Sequence, residues 1–332
     1  MLIHTHANAR AGLIGNPSDG YFGKTISIII RNFAARVTCY ESPRLNIVPA
    51  QCDHSTFDSL DALADDVARN GYYGGMRLLK AAVKRFNDHC RDNGIRLDKR
   101  NFTLEYATDI PIRVGLAGSS GIVTATMRAL MTFYGIDIPK PVLPNLILSV
   151  ELDELGIGAG LQDRVIQVYE GCVYMNFDKA LMDHQGYGEY VSLPCENLPP
   201  LFVAYHDSLA EGTEVTHNDL RSRFNRGDKE VHAAIAQFAG FAEQAKDLIV
   251  AGRGGEIGPL LRENFQLRCS IINVSEGNRQ LVAIAEKHGA SAKLAGSGGA
   301  VIGCYDGDPA RFAAMQKDYE AMGAKLIDPK IG

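Results

Sequence analysis

The stretch Pro111-Ile-Arg-Val-Gly115-Leu-Ala-Gly118-Ser-Ser-Gly121 runs directly into Ile122-Val-Thr-Ala-Thr-Met-Arg-Ala-Leu-Met-Thr-Phe-Tyr-Gly135. Val123, Met127, Leu130, Met131 and Tyr134 recur at helical spacing, and Gly135 offers a left-handed stop. Upstream, Asn101 to Ala107 reads as a strand. A strand that feeds a glycine turn opening a helix leaves several amide N–H groups unpaired at the positive end of the helix dipole. An anion fits there, and phosphate fits best. Gly115 and Gly118 let the backbone approach without a Cβ in the way, while Ser119 and Ser120 can cap the helix, bind a phosphate oxygen or bind Mg²⁺. A tight turn with serine capping reads from the same residues without any ligand. No Lys follows the glycines, so this is not a Walker A loop, and the spacing is not the dinucleotide fingerprint.

Two acids follow. In Asn145-Leu-Ile-Leu-Ser-Val-Glu151-Leu-Asp-Glu-Leu155, the residues Ile147, Leu148, Leu152 and Leu155 form an apolar stripe. Glu151 lies four residues from both Ile147 and Leu155, which puts it on that stripe, whereas Asp153 and Glu154 are free to face water. A carboxylate turned to a core needs a cation or strong donors, and Mg²⁺ is one such partner. A Glu that snorkels to solvent is the alternative. A second glycine-rich turn, Gly156-Ile-Gly-Ala-Gly160, then delivers Asp163 to a helix start. There it is either a first-turn acid steadied by the dipole or a carboxylate aimed into a cleft.

The rest of the chain sets the frame. With 332 residues, 46% of them hydrophobic, two domains are expected. Thr25 to Tyr40 reads as a long strand or bent strand pair, and Ser55 with Asp58 as a capping box. Gly74 to Cys90 reads as a helix carrying Met76, Leu79, Ala82, Val83 and Phe86 inward. Three prolines between Ser192 and Pro200 mark the expected boundary, giving domains 1–195 and 196–332. A strand at Leu201–His206, long helices, and a closing strand–turn–strand–helix from Ser291 complete the pattern. Strands and helices without βαβ alternation indicate α+β.

Composition excludes some functions. The formal charge of −5 gives no basic surplus for nucleic acid, and no basic amphipathic helix suggests a membrane surface. Seven dispersed cysteines without a CxxC read as reduced thiols, and no apolar run of spanning length or signal-like start is present, so a cytoplasmic protein is expected.

Three segments, taken in order, resemble the GHMP kinases. Ala9-Arg-Ala-Gly-Leu-Ile-Gly15-Asn-Pro-Ser-Asp19-Gly-Tyr-Phe-Gly23 is similar to the family's first motif, Gly115 to Ser120 to its phosphate loop, and Lys293-Leu-Ala-Gly-Ser-Gly-Gly299 to its third motif. Finer stretches, among them Glu263-Asn-Phe-Gln-Leu-Arg268, resemble the glucuronokinase branch, with heptose kinases as relatives. Asn16-Pro17 stands where galactokinases carry Glu-His, Gly121 replaces a usual Ala, and Ser297 a usual Ala or Gly.

The resemblance implies a two-domain α+β fold, with an N-terminal ribosomal-protein-like domain and a C-terminal ferredoxin-like one. It implies ATP and Mg²⁺ as cofactors and a small-molecule sugar as substrate, in a monomer or homodimer with no nucleic-acid or membrane partner. By resemblance, Gly115, Leu116, Ala117, Gly118, Ser119, Ser120 and Gly121 hold the nucleotide, and Ser120 and Glu151 the metal. Asp163 is the catalytic carboxylate with Arg10 beside it, and Asn16, Asp19, Arg164 and Gly296 line the substrate site. The implied reaction is phosphorylation of a sugar hydroxyl, foremost the anomeric hydroxyl of glucuronate. Arg113, Arg164 and Lys24 are the candidates to meet its carboxylate. A heptose phosphate or another hexose is the alternative substrate. An ATP-dependent decarboxylase of the same fold and a silent sugar sensor are the rival functions.

Overall fold

The structure, a computed structural model, describes residues 1–50, 53, 59, 74–209 and 220–332. The expected cap at Ser55 and Asp58 lies outside them.

Among the described residues, one sheet has six strands: β1 (Leu2–Ile14), β2 (Lys24–Ser42), β3 (Asn46–Val48), β4 (Asn101–Thr108), β5 (Cys172–Asn176) and β6 (Glu189–Leu193). Its order is β3-β4-β2-β5-β6, with β1 on β2. β2 is the bent strand that its β-branched composition predicts. Its first part pairs with β5 and its second with β4, and β1 follows both. The bend has a local cause: Asn8 faces Ala34 but Ala9 faces Ile30, so Arg31, Asn32 and Phe33 are looped out of the β1 ladder. The extra residues grip the C-terminal tail, with Arg31 N–H donating to Lys330 O (2.8 Å) and Asn32 Nδ2 to Asp328 O (3.0 Å).

Helices α1 (Gly75–Asp92) and α2 (Gly118–Tyr134) pack on this sheet, followed by α3 (Leu143–Ser149), α4 (Leu161–Tyr169) and α5 (Lys179–Gln185). α2 is buried well beyond its predicted stripe, with Ile122, Ala125, Ala129 and Phe133 inside as well. Gly135 ends it in the left-handed conformation, φ 65°. The second sheet, ordered β10-β7-β9-β8, comprises β7 (Leu201–Tyr205), β8 (Ser291–Leu294), β9 (Ala300–Cys304) and β10 (Lys325–Ile327). Around it lie α6 (Lys229–Val250), α7 (Gly258–Ile271), α8 (Glu276–Lys287) and α9 (Pro309–Ala321). The observed architecture is the α+β arrangement of two sheets expected from the sequence. No described helix is long and apolar enough to cross a membrane, and the described cysteines are free.

One expectation needs correction. The helix after Pro144 does not run on as a regular α-helix. It passes at Val150–Glu154 into a π turn. The wider turn rotates Leu152 out of the predicted stripe, leaving it 40% exposed, while Glu151 stays inside at 1%.

Candidate active site

The glycine turn before α2 is built from alternating left-handed residues, Arg113 (φ 61°), Gly115 (φ 73°) and Ala117 (φ 65°). The Ala117 carbonyl pins this shape by accepting from Gly121 N–H (3.1 Å), Ser120 Oγ (3.2 Å) and Gln167 Nε2 (3.0 Å). Ser120 therefore points back along the turn, and no side chain caps the helix. The serine-capping alternative is not what the fold adopts. The first amides of α2 have no intrahelical acceptor and no acid stands in the first turn, so the positive helix end is left to an anion.

Arg10, on β1 and 5% exposed, joins this turn to everything else. Its Nε and Nη2 each lie 2.7 Å from Asp163 Oδ1. Its Nη1 donates to Gly115 O (2.5 Å) and Ala295 O (3.2 Å). One guanidinium thus binds the phosphate turn, the third glycine motif and the acid at the start of α4. The backbone follows suit, with Arg10 N–H on Leu116 O (3.2 Å) and Gly12 N–H on Ala295 O (2.8 Å). Gly296 presses on the phosphate turn so closely that a Cβ there would come 2.4 Å from Gly115 O.

Glu151 and Arg164 form an ion pair with both side chains almost fully buried. Arg164 also donates to Gly160 O (2.8 Å) and lies 3.5 Å from Asp163 Oδ2. The sequence put Glu151 inward in need of a cation, and in the fold that cation is Arg164. Arg164, read from the sequence as a substrate contact, instead has its guanidinium turned inward. Such a pair gains little net stability, but removing one partner strands the other and costs ~3–5 kcal/mol.

Asp19 reaches the same place from the first motif. Its Oδ2 sits 2.2 Å from where a Gly160 side chain would begin, so only glycine admits the carboxylate there. Burial, and then the nearby negative charge of Asp163, push Asp19 up to about 6, against the lowering pull of Arg10 and Arg164. The loop behind Asp19 is clamped by Asn264 of α7, whose Oδ1 accepts from Gly15 N–H (2.8 Å) and whose Nδ2 donates to Asn16 O (3.2 Å). Asn16 itself is 3% exposed, and its buried Oδ1 has no hydrogen-bond partner among the described residues. Lys24 is paired with Glu243. Arg113 is exposed beside the phosphate turn.

Lys293, Gln162 and Asn264 were not singled out as site residues by the sequence. Lys293 is 2% exposed and donates to Gly12 O (2.6 Å) and Leu294 O (2.8 Å). Burial, helped by Arg268 and Arg10, holds its pKa well below the usual lysine range. Lys293 and Asn264 fall inside the quoted motif segments, and Gln162 adjoins Asp163, which is the signal that marked them. Among the described residues no three His, Cys, Asp or Glu side chains form a metal cage.

The N-terminal domain profile of the GHMP kinases matches residues 77–171. "Probable glucuronokinase 2" of Arabidopsis thaliana is 42% identical over 97% of this chain and 89% of its own. "Glucuronokinase 1" of the same plant is 39% identical over 99% and 92%. Among solved structures, Lactococcus lactis galactokinase complexed with galactose superposes with a TM-score of 0.77, covering 100% of this chain and 94% of that one. At 18% identity, that likeness speaks for the fold.

Proposed function

The chain belongs to the glucuronokinase family of the GHMP kinases, and from that premise we propose that it phosphorylates D-glucuronate at the anomeric hydroxyl. The chain is an ATP-dependent sugar kinase, a phosphotransferase with an alcohol group as acceptor. Glucuronate is the acceptor that its two relatives are named for, and a heptose phosphate or another hexose is the competing one.

One observation carries the catalytic part: Arg10 holds Asp163 on the same guanidinium that grips Gly115 and Ala295. The Asp163 carboxylate is thereby fixed relative to the turn where phosphate would sit. In the proposed step the acceptor oxygen bonds to the γ-phosphorus, the bond from that phosphorus to the β,γ-bridging oxygen breaks, and ADP leaves. Asp163 orients the hydroxyl and takes its proton as the new bond forms. Arg10 keeps Asp163 aligned. The α2 amides and the turn receive the phosphates, and Asp19 and Asn16 face the sugar.

Ser120 and Glu151 are the residues that would hold Mg²⁺. The donor type fits, because both offer hard oxygens, and the Glu151 carboxylate, matched by Arg164 in this structure, would be shared between that guanidinium and the ion. Magnesium of that kind neutralises phosphate charge. A site with one protein carboxylate suits an ion held chiefly by phosphates and water.

The domains are proposed as 1–195 and 196–332, supported by one sheet ending at Leu193 and the other beginning at Leu201. Product analysis tests the reaction. Phosphorus NMR of a reaction with ATP and glucuronate should show ADP and a sugar phosphate coupled to an anomeric proton. Release of carbon dioxide would instead support the decarboxylase, and no turnover on any sugar the sensor.

A further inference from the structure

We infer that Arg221 is the residue that recognises the acceptor's carboxylate, an inference that rests on the uronate reading above. A uronate brings its negative charge into a site that already holds Asp19 and Asp163, so it needs a cation not already neutralised. Most nearby cations are taken. Arg10 is held by Asp163 and two carbonyls, and Arg164 by Glu151. Lys24 is held by Glu243, and Lys293 by two carbonyls.

Arg221 differs. It reaches the loop that carries Asp19, with Nη2 a long 3.4 Å from Gly20 O. Its guanidinium carbon is 5.3 Å from the centroid of the Tyr21 ring. Among the described residues, no carboxylate lies within ion-pairing distance of it. The Tyr21 ring is in turn packed on Phe224 at 5.0 Å, which fixes the surface that the guanidinium rests on. The fork is therefore oriented by a ring and one weak hydrogen bond, and among the described residues no carboxylate matches its charge.

Its place also adjoins the acids proposed to meet the sugar. Asp19 meets Gly160, which precedes Asp163 in the turn into α4, and Arg221 reaches across to Gly20, the residue after Asp19. With the anomeric hydroxyl at Asp163, the ring crosses Asp19 and directs its far carboxylate toward Arg221. Glycine at position 20 keeps this approach close, since a Cβ there would come 3.3 Å from Nη2 and press the fork outward.

The test is steady-state kinetics of wild type, Arg221→Gln and Arg221→Lys on glucuronate and on glucose, with ATP titrated separately. Wild type should prefer glucuronate. R221Q should lose about 10- to 100-fold in kcat/KM on glucuronate, mostly through KM. It should keep the glucose rate, the ATP KM and the melting temperature, because the side chain is exposed. R221K should recover part of the loss, as a point charge without the fork. Wild type that does not prefer glucuronate overturns the uronate reading and this inference with it. Wild type that does prefer it, with R221Q keeping the same preference, overturns the Arg221 assignment alone.

Discussion

Arg10 meets Asp163 end-on: Nε and Nη2 both lie 2.7 Å from the single oxygen Oδ1. Among the described residues, the other oxygen, Oδ2, has only the distant Arg164, at 3.5 Å. One oxygen of the carboxylate is thus anchored and the other is available to a hydroxyl proton. Replacing Asp163 by Asn should lower turnover by ~100-fold or more, the usual scale for a positioned acid–base group. Nucleotide affinity should hardly change, because the α2 amides are untouched. Fluorescent-nucleotide binding beside single-turnover rates checks both, and wild-type turnover would remove Asp163 from the mechanism.

Glu151 poses a different problem, because Arg164 depends on it. Glu151→Gln alone should destabilise the fold by ~3–5 kcal/mol by stranding a buried guanidinium, and adding Arg164→Met should restore much of that. The role proposed for Glu151 is read in the double variant, whose magnesium requirement should rise while its sugar KM moves less. A magnesium titration that overlays wild type would reject it.

Asp19 should make the fold sensitive to pH. Its native pKa of about 6, above the usual aspartate value of about 3.8, means the fold disfavours the ionised form. Stability then falls as pH rises from about 4 to about 6, and the cost is complete above that. Asp19→Asn should therefore stabilise the protein by ~1–3 kcal/mol at pH 7.5 and by little at pH 4. Sugar turnover should fall in the same variant. Thermal melts at the two pH values decide it, and a gain that does not depend on pH would contradict the assignment.

Gly296→Ala should push the third motif off the phosphate turn, since its Cβ would come 2.4 Å from Gly115 O, a backbone atom that cannot swing away. A loss of ~1–3 kcal/mol and weaker ATP binding are expected. Gly240→Ala in α6, with nothing within 4 Å of the new Cβ, should instead gain ~0.4–1 kcal/mol. Calorimetry on the two variants separates close packing from a general intolerance of alanine.

Periodic features were legible in the sequence because they are local. The α2 stripe, its Gly135 stop and the bent β2 follow from neighbouring residues alone. The inward turn of Glu151 was also legible, but the π turn that exposes Leu152 was not, since a 3.6-residue period assumes one pitch throughout. The Arg10 junction is beyond any spacing rule, because its partners lie 105, 153 and 285 residues away. Only the ordered resemblance of three motifs brought those segments together. Charge pairing was the least legible part. Arg164 and Lys24 read as available cations until the fold set Glu151 and Glu243 against them. Asn264 looks like any polar helix residue in the sequence, and its clamp on Gly15 and Asn16 exists only once α7 meets the first motif.

The central claim is that this kinase acts on a uronic acid, and initial rates of ADP release from the purified protein test it most directly. Glucuronate, galacturonate and glucose are compared at equal, subsaturating concentrations with saturating ATP and magnesium. Galacturonate keeps the carboxylate and loses the fit at one hydroxyl, whereas glucose loses the carboxylate and leaves a cation unmatched. The predicted order is glucuronate first, galacturonate next and glucose last, with glucose lower than glucuronate by about tenfold or more. Glucose turned over as fast as glucuronate, or activity confined to a heptose phosphate, would contradict the claim.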